Sequence, residues 1–446
     1  QKDLKLWKDA LKLTNAEKKS GPLRRGAILP LNIAANLPDE KVHAEFARQV
    51  RDACLRLHHD HYETDPVSGK QVSFGLVRMA NIEPLFDVAQ TLFALSAPDD
   101  TRIHLCVYHA RFPLVQRSAI EYQLDTAFNR RGKEGQAIYE LPSIRNTLDV
   151  YPEKHHLFIV IASPVCEVGR DWDADWAVAE PSSMRSLIQL AGRVQRHRGK
   201  CGNKPNMLIF DTNLKHFKKG SRDGLAYIRP GFEKQGNQQS TRRFQLATHR
   251  LSELLTEEEY GAINALPRVS PRPAVAWQSN RSLVDLEQAR TATSMLPPAR
   301  KPGSEAPPLE LEAAFATWKY PSAALTGVLP QQQPFRDDPS QTTTLAFLPD
   351  DEEETLKLHR IEDDKARRGQ KLYPLVEGNQ RHEGVLKLGE RINPWGEFDL
   401  MELLAEQASY LDLPLCDCAK RMATVEVPVN DEGWRYHPQL GFGKKR

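Results

Sequence analysis

The sequence predicts an α/β protein built on a parallel β-sheet with helices on both faces. Between residues 72 and 213, short apolar segments alternate with longer segments of helical periodicity, which is the order of elements in a sheet with crossover helices. The apolar segments are nearly continuous, as in HLFIVIAS at 156–163, and strands of this kind are covered on both faces. Ligands of such sheets bind at the carboxyl ends of the strands, so we expect functional residues in the loops that follow them.

The individual elements follow from residue type and from helix-start signals. Strands are predicted at VSFGLVRMA (72–80), IHLCVYH (103–109), HLFIVIAS (156–163), WAVAE (176–180) and NMLIFD (206–211). Helices are predicted at 40–57, 81–95, 113–129 and 183–196. Asn81 is a good N-cap for the second helix, and Pro113 suits the first turn of the third.

Composition restricts the class of protein. The chain has 446 residues, of which 40% are hydrophobic and 27% charged, as in globular proteins with a substantial core. The net charge of +2 gives no argument for nucleic-acid binding, which would need a local basic surface. The six cysteines lack the spacing of a disulfide framework, and we expect them to be reduced in the cytoplasm. No apolar run approaches a membrane span, and no signal peptide is visible.

The segment QLAGRVQRHR carries the clearest candidate for a ligand site. Gln189, Arg193 and Arg196 recur at i, i+4 and i+7, so a helix over 183–196 would place them on one face. Gly192 leaves room for a ligand to approach the backbone. Two arginines and a glutamine without a nearby carboxylate suit an anion, and a phosphate in particular. The motif alone leaves a second interpretation open, namely a surface helix with incidental arginines.

Three further segments extend this motif into a family resemblance. The pattern Q-x-x-G-R-x-x-R resembles the last motif of superfamily-two helicases, and FIVIASPVCEVGRDWDADW, YHARFPLVQR and VSFGLVRMANIEP resemble motifs V, IVa and IV of the same enzymes. The order of all four indicates a second RecA-like lobe. The resemblance implies that Arg196 is an arginine finger and Arg193 a second γ-phosphate ligand. Further implied ATP-site residues are Gln189, Gly192 and Asp171, and implied DNA contacts are His109, Arg111, Arg117, Val165 and Glu167.

Taken together, the four segments resemble the CRISPR-associated helicase–nuclease of type I systems, and most of all the subtype I-F form. This resemblance implies an ATP-dependent single-stranded DNA translocase that degrades invading DNA after recruitment by a guide-RNA surveillance complex. The implied partners are single-stranded DNA, that complex, the CRISPR adaptation integrase and a phage-encoded inhibitor. The implied divisions are the inter-lobe linker with the end of a preceding lobe (1–70), the second RecA-like lobe (71–215), a helical then proline-rich linker (216–345) and a small mixed C-terminal domain (346–446). Its predicted core residues are Trp395, Phe398 and Trp434.

Several motifs of a complete motor are missing from the sequence. It contains no Walker A or Walker B element, and the nearest candidate, SGKQ at 68–71, predicts a hairpin-like turn. We therefore expect ATP and Mg²⁺ to be bound mainly by a preceding lobe of a longer protein. The HHDH segment at 58–61 is not predicted to bind a metal, because adjacent helical residues diverge by about 100°. A non-catalytic nucleic-acid-binding or docking module with a degenerate RecA-like fold is the alternative function.

Overall fold

The structure is a computed structural model that describes residues 5, 8–9, 11–12, 21–34, 36–199, 202–217, 224–270, 277–295, 341–367, 369–378 and 380–445. The greater part of the predicted proline-rich linker, 296–340, lies outside the described residues.

The strands of the described residues are β1 (Gly26–Leu29), β2 (Glu63–Thr64), β3 (Gln71–Arg78), β4 (Thr101–Tyr108), β5 (His155–Ala162), β6 (Trp176–Ala179), β7 (Met207–Phe210), β8 (Thr342–Pro349), β9 (Leu356–Asp363), β10 (Lys371–Leu372), β11 (Arg381–Glu383), β12 (Ile392–Pro394), β13 (Thr424–Pro428), β14 (Trp434–His437) and β15 (Gly441–Lys444). The helices are α1 (Asp39–His61), α2 (Ile82–Ala94), α3 (Leu114–Ala127), α4 (Pro142–Val150), α5 (Met184–Ala191), α6 (Gln239–Arg242), α7 (Leu251–Leu254), α8 (Glu257–Gly261), α9 (Leu266–Val269), α10 (Leu283–Met295), α11 (Leu400–Leu411) and α12 (Leu415–Met422).

The main sheet confirms the predicted fold class. Seven strands run parallel in the order β1-β7-β6-β3-β5-β4-β12, and β2 pairs antiparallel with β3. The crossovers move in both directions along the sheet, so right-handed connections place α2 on one face and α3 and α5 on the other. The β2–β3 connection contains SGKQ and is a hairpin, closed by a hydrogen bond from the Asp65 amide to the Lys70 carbonyl (2.8 Å), as predicted.

The side chains at the centre of the sheet are tightly packed. Apart from its first residue, β5 is buried along its whole length, as its continuous apolar sequence predicts. On the neighbouring strand, a Cβ at Gly75 would lie 2.1 Å from the ring of Trp176. Because Trp176 is fully buried, glycine at this position is what allows its indole to lie across β3.

Besides β2, two strands of this sheet come from outside the predicted lobe at 71–215. The strand β1 pairs with β7, and β12 pairs with β4. The helix α1, which the sequence analysis placed before the lobe, buries an apolar face against the same core and packs on α2. β1 has four residues and β12 three, and both lie outside the alternation of strands and helices that predicts the lobe.

The C-terminal region forms a smaller mixed layer with its own core. An antiparallel sheet runs in the order β10-β9-β8-β13, and β14 pairs with both β11 and β15. The helices α11 and α12 cover it, and α11 also packs on α3 of the main domain. Of the three residues predicted for this core, Trp434 is buried in it, whereas Trp395 and Phe398 are buried in the core of the main domain. Within the described part of the chain, no helix combines the length and the apolar character needed to cross a bilayer.

Candidate nucleotide site

The segment with the two motif arginines is not one continuous helix, and this part of the sequence prediction is wrong. Helix α5 begins after Ser183, whose hydroxyl accepts a hydrogen bond from the Ser186 amide (3.2 Å), and it ends at Ala191. Beyond it the chain pairs with Ala174, whose amide donates to the Arg193 carbonyl (2.8 Å). This pairing ends the helical path of the backbone, so Arg193 and Arg196 do not lie on the helix face that carries Gln189.

A tight turn follows, and Asp173 holds it in place. Gln195 adopts a left-handed backbone with φ of 49°. The buried carboxylate of Asp173 then accepts the amides of Arg196 (3.0 Å), His197 (3.1 Å) and Arg198 (3.2 Å). It also accepts two hydrogen bonds from the guanidinium of Arg198, each 3.0 Å long. Five hydrogen bonds to one carboxylate fix the position of the turn relative to the β5–β6 loop.

The turn rests on a buried network of ion pairs. Arg198 also binds Asp175 (2.6 Å) and Glu63 (3.2 Å). The buried guanidinium of Arg130 binds the same two carboxylates at 2.6 and 2.7 Å. Burial alone would raise the pKa of Asp175, but Arg130 and Arg198 outweigh it and hold the pKa below the usual range. The network therefore joins the turn to β2, to the segment after α3 and to the start of β6.

The two motif arginines occupy different environments. Arg193 is buried, and its guanidinium donates to the carbonyl of Glu167 (2.8 Å); burial lowers its pKa. The side chain of Arg196 is 42% exposed and donates from Nε to Asp171 (2.5 Å) and from the guanidinium to the carbonyl of Gly192 (3.2 Å). The structure therefore places Gly192 in contact with Arg196, whereas Gln189 is exposed on α5.

Asp171 lies at the surface between two arginines and a histidine. Its carboxylate accepts from Arg196, from Nε2 of His197 (3.2 Å) and from Arg131. Hydrogen bonds from Arg196 and His197 lower its pKa to about 2. The excess of positive charge suits a phosphate group and does not suit Mg²⁺, which prefers oxygen ligands.

The β5–β6 loop lies beside Arg193, but the side chain of Glu167 points inward. Its carboxylate forms an ion pair with the buried Arg78 (2.9 Å) and accepts from the hydroxyl of Ser186. Burial raises its pKa, against the effect of Arg78. Contact between this carboxylate and DNA does not fit the arrangement, because the group is 5% exposed and anchors the loop to β3 and α5. Val165, in the same loop, is half-buried against the main core.

The remaining predicted DNA contacts lie near the boundary with the C-terminal region. His109 is fully buried, and its Nδ1 accepts the Arg111 amide (3.1 Å), so its Nε2 donates to the Leu440 carbonyl (2.8 Å). Burial lowers its pKa to about 3. A direct contact between His109 and DNA therefore does not fit this arrangement. Arg111 contacts Glu83, and the side chain of Arg117 is 35% exposed.

The structure reveals positioning residues that the sequence analysis left without a role. Asp171, Asp173 and Asp175 follow one another at two-residue intervals in DWDAD, yet the structure buries the carboxylates of Asp173 and Asp175 and leaves that of Asp171 exposed. The spacing gave no signal for this difference, because residues at i, i+2 and i+4 share one face of an extended segment. Arg130 and Arg131 carried no signal either, because their neighbours in the fold are remote in sequence.

The HHDH segment lies at the end of α1, and its side chains diverge. His58 is buried between the Ser73 hydroxyl (2.8 Å) and His155 (3.1 Å), and burial lowers its pKa to about 3, whereas the side chain of His59 is 80% exposed. His156 is fully buried in β5, 3.1 Å from His104. Among the described residues, no group of three or more His, Cys, Asp or Glu is arranged to hold a metal ion.

Comparisons with known proteins identify the family. Residues 71–199 match the family model "CRISPR-associated nuclease/helicase Cas3, C-terminal", and residues 347–444 match "CRISPR-associated Cas3 subtype I-F/YPEST-like, C-terminal domain". The chain is 39% identical to the "CRISPR-associated nuclease/helicase Cas3 subtype I-F/YPEST" of Pseudomonas aeruginosa, over 95% of this chain and 36% of the relative. It is 36% identical to the protein of the same description from Pectobacterium atrosepticum, over 81% of this chain and 32% of the relative.

The chain thus spans about a third of the length of these curated relatives. A structure of T. fusca Cas3 with AMPPNP covers 61% of this chain and 26% of its own, with 15% identity and a TM-score of 0.33. Both family models fall on C-terminal domains, and the sequence identity extends across their boundary. The chain therefore belongs to the CRISPR-associated Cas3 family of subtype I-F/YPEST, of which it carries the C-terminal portion.

Proposed function

We propose that this chain is the second motor lobe and C-terminal domain of an ATP-driven single-stranded DNA translocase within a CRISPR helicase–nuclease. The observation that carries the proposal is the half-exposed guanidinium of Arg196, which stands on a turn fixed by Asp173. A cation held at the surface by a rigid base suits a ligand that arrives from a second body. The phosphates of ATP bound to a preceding lobe are such a ligand, and Mg²⁺ would be held on that side.

In this proposal Arg196 acts as the arginine finger. When the two lobes close, its guanidinium stabilises the negative charge that develops on the γ-phosphate, because it is already oriented before the reaction. Arg193, pinned to the loop carbonyl at Glu167, is the second phosphate ligand or sets the distance of the loop from it. Gln189 and Gly192 line the approach to the nucleotide, and Asp171 tunes the arginines.

The DNA track is proposed along the carboxyl ends of β3, β4 and β5. Arg111 and Arg117 line a cleft of about 490 Å³ between the main domain and the sheet formed by β8 and β13. Both are basic, and Arg117 is the more accessible, which suits contacts to phosphates without sequence readout. The backbone around Val165 and Glu167 would complete the track, in place of the Glu167 side chain.

The partners that the sequence resemblance implies are also part of the proposal. A guide-RNA surveillance complex would deliver the DNA, and the CRISPR adaptation integrase and a phage-encoded inhibitor would bind elsewhere on the protein. The nuclease activity named in the relatives would reside in segments that this chain does not match.

The decisive experiment is steady-state ATP hydrolysis by the longest natural form of the protein that contains this chain, with and without single-stranded DNA. Arg196→Ala is expected to lower DNA-stimulated kcat by about 10³-fold or more, the range of known arginine fingers, while single-strand affinity stays within about twofold. An unchanged kcat would refute the assignment of Arg196. If the wild-type protein shows no DNA-stimulated turnover, the non-catalytic binding module becomes the better function.

A control variant separates the finger from a general loss of positive charge. Arg48 pairs with Glu45 on the exposed side of α1 (2.8 Å), and its side chain is 53% exposed, which is similar to Arg196. Arg48→Ala is expected to leave turnover and DNA binding unchanged. A similar loss of turnover in both variants would show that the assay responds to surface charge and not to the finger.

A further inference from the structure

The exposed carboxylate of Asp171 is shared by more cations than it can neutralise. Arg196 binds one oxygen from Nε at 2.5 Å, His197 lies 3.2 Å from the same oxygen, and Arg131 binds the other. Arg131 belongs to the segment after α3 and is not part of any helicase motif described above. Its ion pair with Asp171 therefore needs a reason beyond the motif.

Because Asp171 has several partners, less free energy is needed to move Arg196 away from it. A carboxylate that loses its single cationic partner is left with uncompensated charge, which opposes the departure of that partner. Here Arg131 and His197 remain on the carboxylate when Arg196 leaves. The low pKa of Asp171 is the electrostatic signature of this surplus of hydrogen-bond donors and positive charge.

We propose that Asp171 is an exchange partner for Arg196, and that Arg131 is the positioning residue that makes the exchange easy. Asp171 holds Arg196 while no nucleotide is bound; when phosphate arrives, Arg196 turns to it and Arg131 keeps Asp171 neutralised. This rests on the proposed function of Arg196. It adds a residue from outside the motifs and a step that precedes phosphate contact.

The anchoring of Arg131 and His197 suits this task. Arg131 follows Arg130, whose buried guanidinium is tied to Asp175 and Glu63, so the backbone is fixed while the side chain of Arg131 stays 68% exposed. His197 is held through its amide by Asp173. Both remain beside Asp171 when the side chain of Arg196 rotates, because neither depends on Arg196 for its position.

The test is a double-mutant cycle on DNA-stimulated ATP hydrolysis by the same long form of the protein. Arg131→Ala is expected to lower kcat about 2- to 5-fold, which is the range of an exposed ion pair, with KM for ATP nearly unchanged. In an Asp171→Asn background, the same change at Arg131 is expected to have no further effect on kcat, because the substituted amide carries no charge to hold Arg196.

Each other outcome overturns the exchange. A wild-type kcat for Arg131→Ala means that Arg131 has no part in it. A raised KM, or a loss of kcat that persists in the Asp171→Asn background, means that Arg131 acts directly on the nucleotide. Arg196→Ala in the same assay separates this failure from failure of the proposed function, because a harmless Arg196→Ala refutes the finger itself. Arg48→Ala is again the matched control for a lost surface arginine.

Discussion

Removal of the Asp173 carboxylate should release the turn that carries Arg196. The buried carboxylate accepts three consecutive amides of this turn and two hydrogen bonds from Arg198. In Asp173→Ala all five are lost, and the amides of residues 196–198 have no replacement on the protein side at that position. We therefore expect both a less stable domain and a less ordered Arg196 side chain.

The expected loss of stability follows from the burial of the Asp173–Arg198 ion pair. Breaking a buried ion pair by deleting one partner typically costs about 3–5 kcal/mol. The side chain of Arg198 is 1% exposed but keeps Asp175 and Glu63 as partners, so the loss should be near the lower end, about 3 kcal/mol. For a domain of this size that corresponds to a decrease in Tm of about 6–12 °C.

Thermal unfolding followed by tryptophan fluorescence measures this loss, because Trp172 and Trp176 are buried on either side of Asp173 in sequence. Asp171→Ala is the matched control: it removes a carboxylate two residues away that also binds arginine, but its side chain is 46% exposed. It should cost less than about 1 kcal/mol. Equal decreases in Tm for the two variants would refute the view that Asp173 anchors the turn.

Two further predictions concern acid stability and DNA binding. Burial keeps His58, His109 and His156 neutral, with pKa values of about 3, 3 and 4, below the 6.5 of an unfolded histidine. Their contribution to the free energy of unfolding is present above pH 6.5 and lost as the pH falls; for His58 alone the loss is about 2 kcal/mol at pH 5. The midpoints of denaturant unfolding at pH 7 and pH 5 measure this loss, and equal midpoints would contradict it. Arg117→Ala should weaken single-stranded DNA binding equally across sequences and reduce the slope of log K on log salt by about 0.7; a sequence-selective loss would argue against a phosphate contact.

The central fold could be predicted because its signal is local. The continuous apolar run in β5 reports burial on both faces, and the alternation of such runs with helices reports the parallel sheet. The strands β1 and β12 could not be predicted, because they lie outside this alternation and their pairing with β7 and β4 is decided by distant chain segments.

The candidate site was predictable in its residues and not in its geometry. The spacing of Arg193 and Arg196 favours a helix, but α5 ends at Ala191 with Gly192 as its C-cap residue. Glycine is a poor helix former that is common at helix ends, so one local signal for this end was present. The path of the chain beyond it is decided by tertiary structure, because Ala174 pairs with Val194. The inward orientation of Glu167 likewise depends on Arg78, which is far away in sequence.

The buried ion network beneath the turn is better explained by rigidity than by stability. Buried ion pairs are often no more stabilising than apolar residues of the same size, so a sheet this well packed gains little stability from Arg130, Arg198 and their three carboxylates. What they supply is a connection between four chain segments: β2, the segment after α3, the end of the β5–β6 loop, and the turn itself. A force on Arg196 from a bound phosphate would pass through this connection to the whole sheet. In a motor of the proposed kind, this is the property required for phosphate contact to move a domain instead of a loop.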